Sequence, residues 1–441
     1  MTITAASQRS RRPHPLVVLV RWLVLALLIV AVVTAAAIAF APAPRVAATP
    51  LALPEPQGEP VSAVWPEGVA RAAGYAVVGL DGGTASDATG SAGTESADAD
   101  ALDGAETWGS EEPLPMASLA KVLTVLVVLE AHPIEGDGRG AEITLGRADI
   151  NALGAMIAER APIVPVYDGM VVHERDLIEW SLVDSAGNAM WSLAHWAFGS
   201  IDAYLAAAND WAARHGLADT RIADPSGLSL ETASTAADMT RLALLAVQDP
   251  LVLATIGMPE VDVPGGTAAN TNGILGDGFI DGGKTGTLRV SGRNLFVTAE
   301  RDIEGEPRRV VAVIIGVVTQ DDIDAAMLEL VGSLWDDFGT RMLVPEGTAV
   351  AEYRAPWGAL VTASTVADLA ADAFGPHVPR VESEVTGIAI GAPRGQVGLV
   401  STVDAYGERS DVPVRTEGML TGPDLGWRMT HPSTAIGWYF D

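Results

Sequence analysis

Two lysines stand out in this chain of 441 residues, because every other one of its 27 basic residues is an arginine. They are Lys121 and Lys284. An Ala-, Gly- and Arg-rich coding bias accounts for the arginines but not for the two exceptions. A guanidinium keeps its proton in a protein, whereas an amine gives it up when burial lowers its pKa. Acid–base chemistry is therefore expected at the two lysines.

Lys121 follows Ser118 at a spacing of three, which places both on one face of a helix. The segment 117–130 (ASLAKVLTVLVVLE) is almost wholly apolar and predicts a buried helix. Ser118 falls in its first turn, where free N–H groups and the positive end of the helix favour a developing negative charge. Desolvation of the only charged side chain between Ala117 and Leu129 lowers the Lys121 pKa and makes it a base for the Ser118 hydroxyl. The competing reading is a chance Ser-x-x-Lys whose amine reaches solvent.

Lys284 lies in Gly282-Gly283-Lys284-Thr285-Gly286-Thr287. Glycines in a strand remove bulk and let a substrate backbone lie against it. A Lys and Thr hydroxyls projecting there suit a carboxylate. A surface lysine at a strand end is the bland alternative. A third polar cluster, Ser185-Ala186-Gly187-Asn188, interrupts two helical segments rich in Trp (Trp180, Trp191, Trp196). Asp184 or Ser185 there is also a plausible helix cap.

These residues need elements to hold them. Helices are expected at 174–184, 188–198, 201–215, 235–247 and 321–337, with strands at 74–80, 278–284, 294–300 and 309–318. Trp22 to Phe40 is an unbroken apolar run apart from Thr34, long enough to span a bilayer. Arginines precede it, so residues 1–21 read as a cytoplasmic basic tail and the rest as exported. A removed leader is the alternative, disfavoured by Pro44 after Ala41-Pro-Ala43. Residues 41–69 read as a Pro- and Ala-rich tether, 70–344 as the catalytic domain, 82–112 within it as a disordered acidic loop, and 345–441 as a separate β-rich domain.

Composition narrows the function. The net charge is −29, which repels phosphates and argues against nucleic-acid binding. Cysteine is absent, excluding disulfides, thiolate metal sites and a Cys nucleophile. The seven histidines are scattered without metal spacing, so no metal and no cofactor is expected.

The order Ser-x-x-Lys, then Ser…Asn, then Lys-Thr-Gly resembles the signature of penicillin-binding proteins and serine β-lactamases. Leu114-Pro-Met-Ala-Ser-Leu-Ala-Lys121, Pro225-Ser-Gly-Leu228, Ser234-Thr-Ala-Ala-Asp-Met239 and Asn270-Thr-Asn272 before Asp281-Gly-Gly-Lys284 extend the likeness. The chain resembles the low-molecular-mass penicillin-binding D-alanyl-D-alanine carboxypeptidases of the peptidase S11 type. That resemblance implies an α/β (α+β) transpeptidase fold, with an antiparallel sheet flanked by helices and a helical subdomain. It also implies that Ser118 attacks the carbonyl between the terminal D-alanines of a peptidoglycan stem peptide. Lys121 is then the base, and Ser185 or Asn188 relays the proton and holds the substrate amide. Lys284 and Thr285 bind the carboxylate, with Gly286 between them and Thr287. Backbone N–H groups of Ser118 and Thr287 form the oxyanion hole, and β-lactams acylate Ser118.

One departure is plain. The family's second motif is Ser-x-Asn, and Ser185-Ala-Gly-Asn188 is one residue longer. Either Asn188 holds the family position with Ala186 replacing the Ser, or Ser185 holds it with Gly187 replacing the Asn; a local bulge would keep both. Two rivals stand beside the carboxypeptidase. A serine β-lactamase of class A carries a deacylating Glu, but Glu231 and Glu260 are the only glutamates between Asn188 and Lys284, in the wrong context. A catalytically idle, anchored wall-binding protein is the other.

Overall fold

The last of three consecutive strands, ending near residue 317, is apolar on both sides: Val310, Ala312 and Ile314 are buried, and so are Val311, Val313 and Ile315. Such a strand needs cover on both faces. The computed structural model, which describes residues 15–80, 105–404 and 406–440, supplies it. In chain order, the elements that build this part are α1 (Pro15–Phe40), β1 (Thr49–Pro50), β2 (Ala72–Val77), β3 (Ala105–Gly109), α2 (Ala120–Ala131), α3 (Glu174–Leu182) and α4 (Gly187–Phe198). They continue with α5 (Ile201–Arg214), α6 (Ala236–Gln248), β4 (Ile280–Leu288), β5 (Gly292–Ile303), β6 (Glu306–Val317) and α7 (Gln320–Leu334).

An antiparallel sheet runs in the order β4-β5-β6-β2-β3. On one face Val310, Ala312 and Ile314 pack with Ile323, Met327, Leu330 and Leu334 of α7. On the other, Val311, Val313 and Ile315 join the large core shared by α2, α3, α4, α5 and α6. Helix α2 lies inside that core, buried continuously from Ala120 to Leu129. That placement explains why its sequence is apolar all round rather than along one stripe.

The stretch 82–112, read as an acidic loop, is corrected at its end. Residues 105–109 form β3, paired with β2 in the register Trp108 to Ala73, with Trp108 against the core. An edge strand is buried on one side only, so Glu106 and Thr107 mask its signal. Residues 82–104, and the basic tail up to residue 14, lie outside the described residues.

A second sheet follows: β7 (Ala349–Arg354), β8 (Leu360–Thr365), β9 (Val381–Val385), β10 (Gln396–Val403) and β11 (Arg409–Thr416), then two short helices, α8 (Leu425–Thr430) and α9 (Pro432–Gly437). Its strand order is β1-β7-β8-β11-β10-β9. Two expectations change here. Residues 41–69 are not a free tether. Val46 exchanges backbone hydrogen bonds with Ile388 at 2.8 and 2.9 Å, β1 pairs with β7, and Ser62 N donates to Asp337 Oδ2 at 2.9 Å. An extended Pro- and Ala-rich chain leaves its backbone groups unpaired, and a sheet edge accepts them; sequence shows the extension but not the edge. Residues 425–437, read as β-rich, are helical. Six-residue helices are too short to display a period.

Candidate active site

Ser118 sits in a 3-10 turn, Ala117–Leu119, that leads into α2. Ala117 holds a left-handed φ of 51°, which costs a residue with a Cβ about 1–2 kcal/mol. Two contacts over-determine the turn. Gly227, at φ 79°, lies so close to the Ala117 carbonyl that a Cβ there would collide with it. Asn294 of β5 donates from Nδ2 to Pro115 O at 2.9 Å and Met116 O at 3.0 Å, while its Oδ1 accepts from Gly316 N at 3.0 Å.

Lys121, one helical turn on, is only 2% exposed. Its Nζ lies 2.7 Å from Ser118 Oγ and 2.9 Å from Ser226 O. Burial pushes its pKa down to about 7, opposed in part by the Asp224 carboxylate. A neutral amine that donates to the Ser226 carbonyl keeps its lone pair for the Ser118 hydroxyl. The Ser226 carbonyl is itself held. Asp224 Oδ1 accepts from Ser226 N, Ser226 Oγ and Leu228 N at 2.9, 2.8 and 3.1 Å, and Oδ2 from Ser229 N and Thr232 Oγ1, both at 2.9 Å. Burial alone would raise the Asp224 pKa; these donors overcome that and hold it below the usual carboxylate value.

Ser185, between α3 and α4, has a left-handed φ of 63° and is buried. Lys284 Nζ donates to Ser185 Oγ and to Thr285 O, each at 2.9 Å. Lys284 reaches no solvent at all, and burial, reinforced by the nearby Lys121 charge, lowers its pKa well below that of a free lysine; Asp184 opposes the shift. The two lysines therefore share one site, each beside a serine hydroxyl.

Strand β4 completes the cluster. A Cβ on Gly286 would stand 3.0 Å from Ser118 N and 2.9 Å from Leu119 Cδ1, and one on Gly283 would stand 2.9 Å from Asn272 Nδ2. Gly286 thus brings the strand against the nucleophile turn, and Gly283 lets it close on Asn272 and the neighbouring strand. Thr285 is half-buried and donates to Thr271 Oγ1 at 2.7 Å, whereas Thr287 is exposed, with Arg293 Nη1 3.4 Å from its hydroxyl. Gln320 Oε1 accepts from the same Arg293 nitrogen at 3.0 Å.

Asn188 does not join them. Its Nδ2 donates to Val164 O and its Oδ1 accepts from Val164 N, both at 3.0 Å, so it pins the chain near residue 164 to α4. Ser185 is the residue of the pair that reaches the cluster, and Gly187, the first residue of α4, brings no amide side chain. Sequence reasoning missed Asp224, Asn294 and Arg293. Asp224 stands directly before Pro225-Ser-Gly-Leu228, where an Asp ahead of Ser and Thr is a turn signal. Asn294 and Arg293 reach the site only through the pairing of β4 with β5, which puts Arg293 opposite Thr287.

Residues 108–319 match a sequence family described as D-alanyl-D-alanine carboxypeptidase. The D-alanyl-D-alanine endopeptidase of Escherichia coli strain K12 is 29% identical over 175 residues, 36% of this chain and 51% of that protein. The D-alanyl-D-alanine carboxypeptidase DacD of Salmonella typhimurium is 28% identical over 249 residues, 55% of this chain and 62% of that protein. The chain spans about half the length of the first of these relatives. Among solved structures, penicillin binding protein 6B of Escherichia coli superposes with a TM-score of 0.54 at 20% identity, covering 82% of this chain and all of that one. Penicillin binding protein 5 of Haemophilus influenzae superposes with 0.53 at 19% identity, covering 84% and 100%. At such identities the likeness shows a shared fold.

Proposed function

We propose that this chain, whose residues 108–319 match the family described as D-alanyl-D-alanine carboxypeptidase and whose fold is that of penicillin-binding proteins, is a serine-type D-alanyl-D-alanine carboxypeptidase of the low-molecular-mass kind. The observation that carries this reading is Lys121 Nζ at 2.7 Å from Ser118 Oγ, with the amine desolvated. Ser118 Oγ attacks the carbonyl between two terminal D-alanines while its proton passes to Lys121 Nζ. The C–N bond then breaks, and the departing amine takes a proton delivered from the Lys121 ammonium through the Ser185 hydroxyl, which Lys284 holds in place. Water attacks the resulting ester and frees Ser118. Backbone N–H groups of Ser118 and Thr287 receive the oxyanion, the dominant electrostatic contribution in such reactions.

In this reading Lys284 serves the substrate carboxylate indirectly. Having no exposed surface, it orients Ser185 and acts on a substrate carboxylate only through space. The carboxylate meets the Thr285 and Thr287 hydroxyls first, with the Arg293 guanidinium beside Thr287. Helix α1 supports a membrane-held enzyme. Its apolar window has a mean hydropathy of 3.0 with no buried residue. Its 26 residues extend about 39 Å, enough to cross a hydrocarbon core of about 30 Å. In this reading the catalytic domain works outside the cytoplasmic membrane on peptidoglycan stem peptides.

Labelling with a fluorescent penicillin, followed by product analysis on a stem pentapeptide, tests the proposal. The expected result is one lasting adduct on Ser118 and release of D-alanine. No adduct sinks it in favour of an idle wall-binding protein, and rapid turnover of the adduct sinks it in favour of a β-lactamase. An endopeptidase activity, suggested by the name of the Escherichia coli relative, would appear as cleavage of cross-linked dimers in the same assay.

A further inference from the structure

The two ends of the described chain meet. Ile38 and Ala41, at the close of α1, are buried together with Ala435 and Trp438 of the last helices, and Trp357 and Trp427 pack on them. Tyr439 Oη donates to Ala37 O at 3.0 Å, and Arg428 Nη1 donates to Ala41 O at 2.6 Å. The Ala37 carbonyl lies in the last turn of α1, where carbonyls lack an intrahelical partner. The rings of Trp357, Trp427 and Trp438 stand 5.8 to 5.9 Å apart. The contact therefore caps the helix end with polar donors and surrounds it with indoles.

The outer side of this junction is apolar and open. Leu425, Met429, Ile436, Tyr439 and Phe440 are 38% to 85% exposed, and Phe40 of α1 is 83% exposed. An apolar patch of this kind marks an interaction surface. Two features say what covers it. The patch continues directly into the surface of α1, no residue of whose apolar window is buried. In a chain with 56 acidic residues, the sixteen residues from Leu425 to Phe440 contain none and carry Arg428 and His431, with Asp424 directly before them as the cap of α8. Tryptophan and tyrosine at the end of a span fit the interface between lipid headgroups and acyl chains.

We propose that α8 and α9 form a collar lying in the headgroup layer around the exit of α1, seating the C-terminal sheet directly on the outer leaflet. This rests on reading α1 as a membrane span. The span alone anchors the chain; the collar sets its posture. The chain leaving α1 runs straight onto the second sheet through the Val46–Ile388 bridge and β1, so little slack remains between membrane and protein. The catalytic domain then stands at a set height rather than roaming on a tether.

The absence of cysteine makes the test clean, since a single introduced thiol is labelled uniquely. Full-length L28C, M429C, F440C and V290C variants, each carrying an environment-sensitive fluorophore, are reconstituted in vesicles of phosphatidylethanolamine and phosphatidylglycerol. Val290, exposed on the turn between β4 and β5, is the water-facing control. Penicillin labelling of each variant in detergent checks folding. Brominated lipids are expected to quench the labels at 28, 429 and 440, with shallow bromines severalfold more effective at 429 and 440 than deep ones. Aqueous iodide should quench only the label at 290. Lipid quenching at 28 with iodide access at 429 and 440 equal to that at 290 overturns the collar and leaves the span. Iodide access at 28 overturns the span reading, and the collar with it.

Discussion

The surroundings of Lys121 and of Lys284 differ although both amines are buried beside a serine hydroxyl. Lys121 has a carboxylate, Asp224, fixed nearby by five hydrogen bonds, and its second contact is a backbone carbonyl from the same loop. Lys284 has the half-exposed Asp184 as its opposing charge, lies under the influence of Lys121, and holds the carbonyl next to it in its own strand. Burial depresses both pKa values, but the Lys121 value stops at about 7, where an amine passes between base and acid within physiological pH. The lesson is that desolvation alone does not make a general base. What separates the two is the hydroxyl each amine faces: Lys121 stands beside the nucleophile Ser118, whereas Lys284 stands beside Ser185.

Predictions that break or sharpen this contrast run from large to small. Replacing Lys121 by Ala or by Arg is expected to cut penicillin acylation by about 10³-fold or more, because a guanidinium fills the space without giving up its proton. Stopped-flow acylation of the wild type should rise with pH through about 7 as Lys121 releases its proton, since its folded pKa is lowered to that value. A rate indifferent to pH between about 5 and 9 would remove Lys121 from the role of base.

Replacing Lys284 or Ser185 by Ala is expected to slow acylation by about 10²-fold each. The double variant should be scarcely worse than either single one, because the two act as one unit. Full additivity would separate them. Asp224→Asn is expected to give a smaller, several-fold loss with the acid limb of the pH profile moved to lower pH. Removing the carboxylate takes away the influence that raises the Lys121 pKa. An unmoved limb would leave Asp224 a structural clamp only. Asn188→Ala should hardly change the pH profile but lower stability by about 1–3 kcal/mol in urea titration, the cost of leaving the Val164 backbone groups unpaired. A loss of acylation without a loss of stability would return Asn188 to the site.

Lys121 and Lys284 were legible because lysine is rare in this chain and each stands in an apolar or glycine-rich stretch, and Ser118 because it lies three residues from one of them, a contrast that survives without any fold. The buried helix around Lys121 was legible for the same reason. The choice between Ser185 and Asn188 was not, because it turns on one left-handed residue, Ser185, and on where the chain near Val164 happens to lie. The sequence by itself determined the chemistry on offer: a hydroxyl three residues from one of two amines, a spanning-length apolar run, and a core able to bury both lysines. Tertiary structure decided how that chemistry is set. Asp224 lies 103 positions beyond Lys121 and Asn294 lies 176 beyond Ser118, so local pattern marks a turn at Asp224 but places neither residue beside the nucleophile. Whether an amine is a base or a buried strut depends on the charges and carbonyls that distant segments bring within a few ångströms of it.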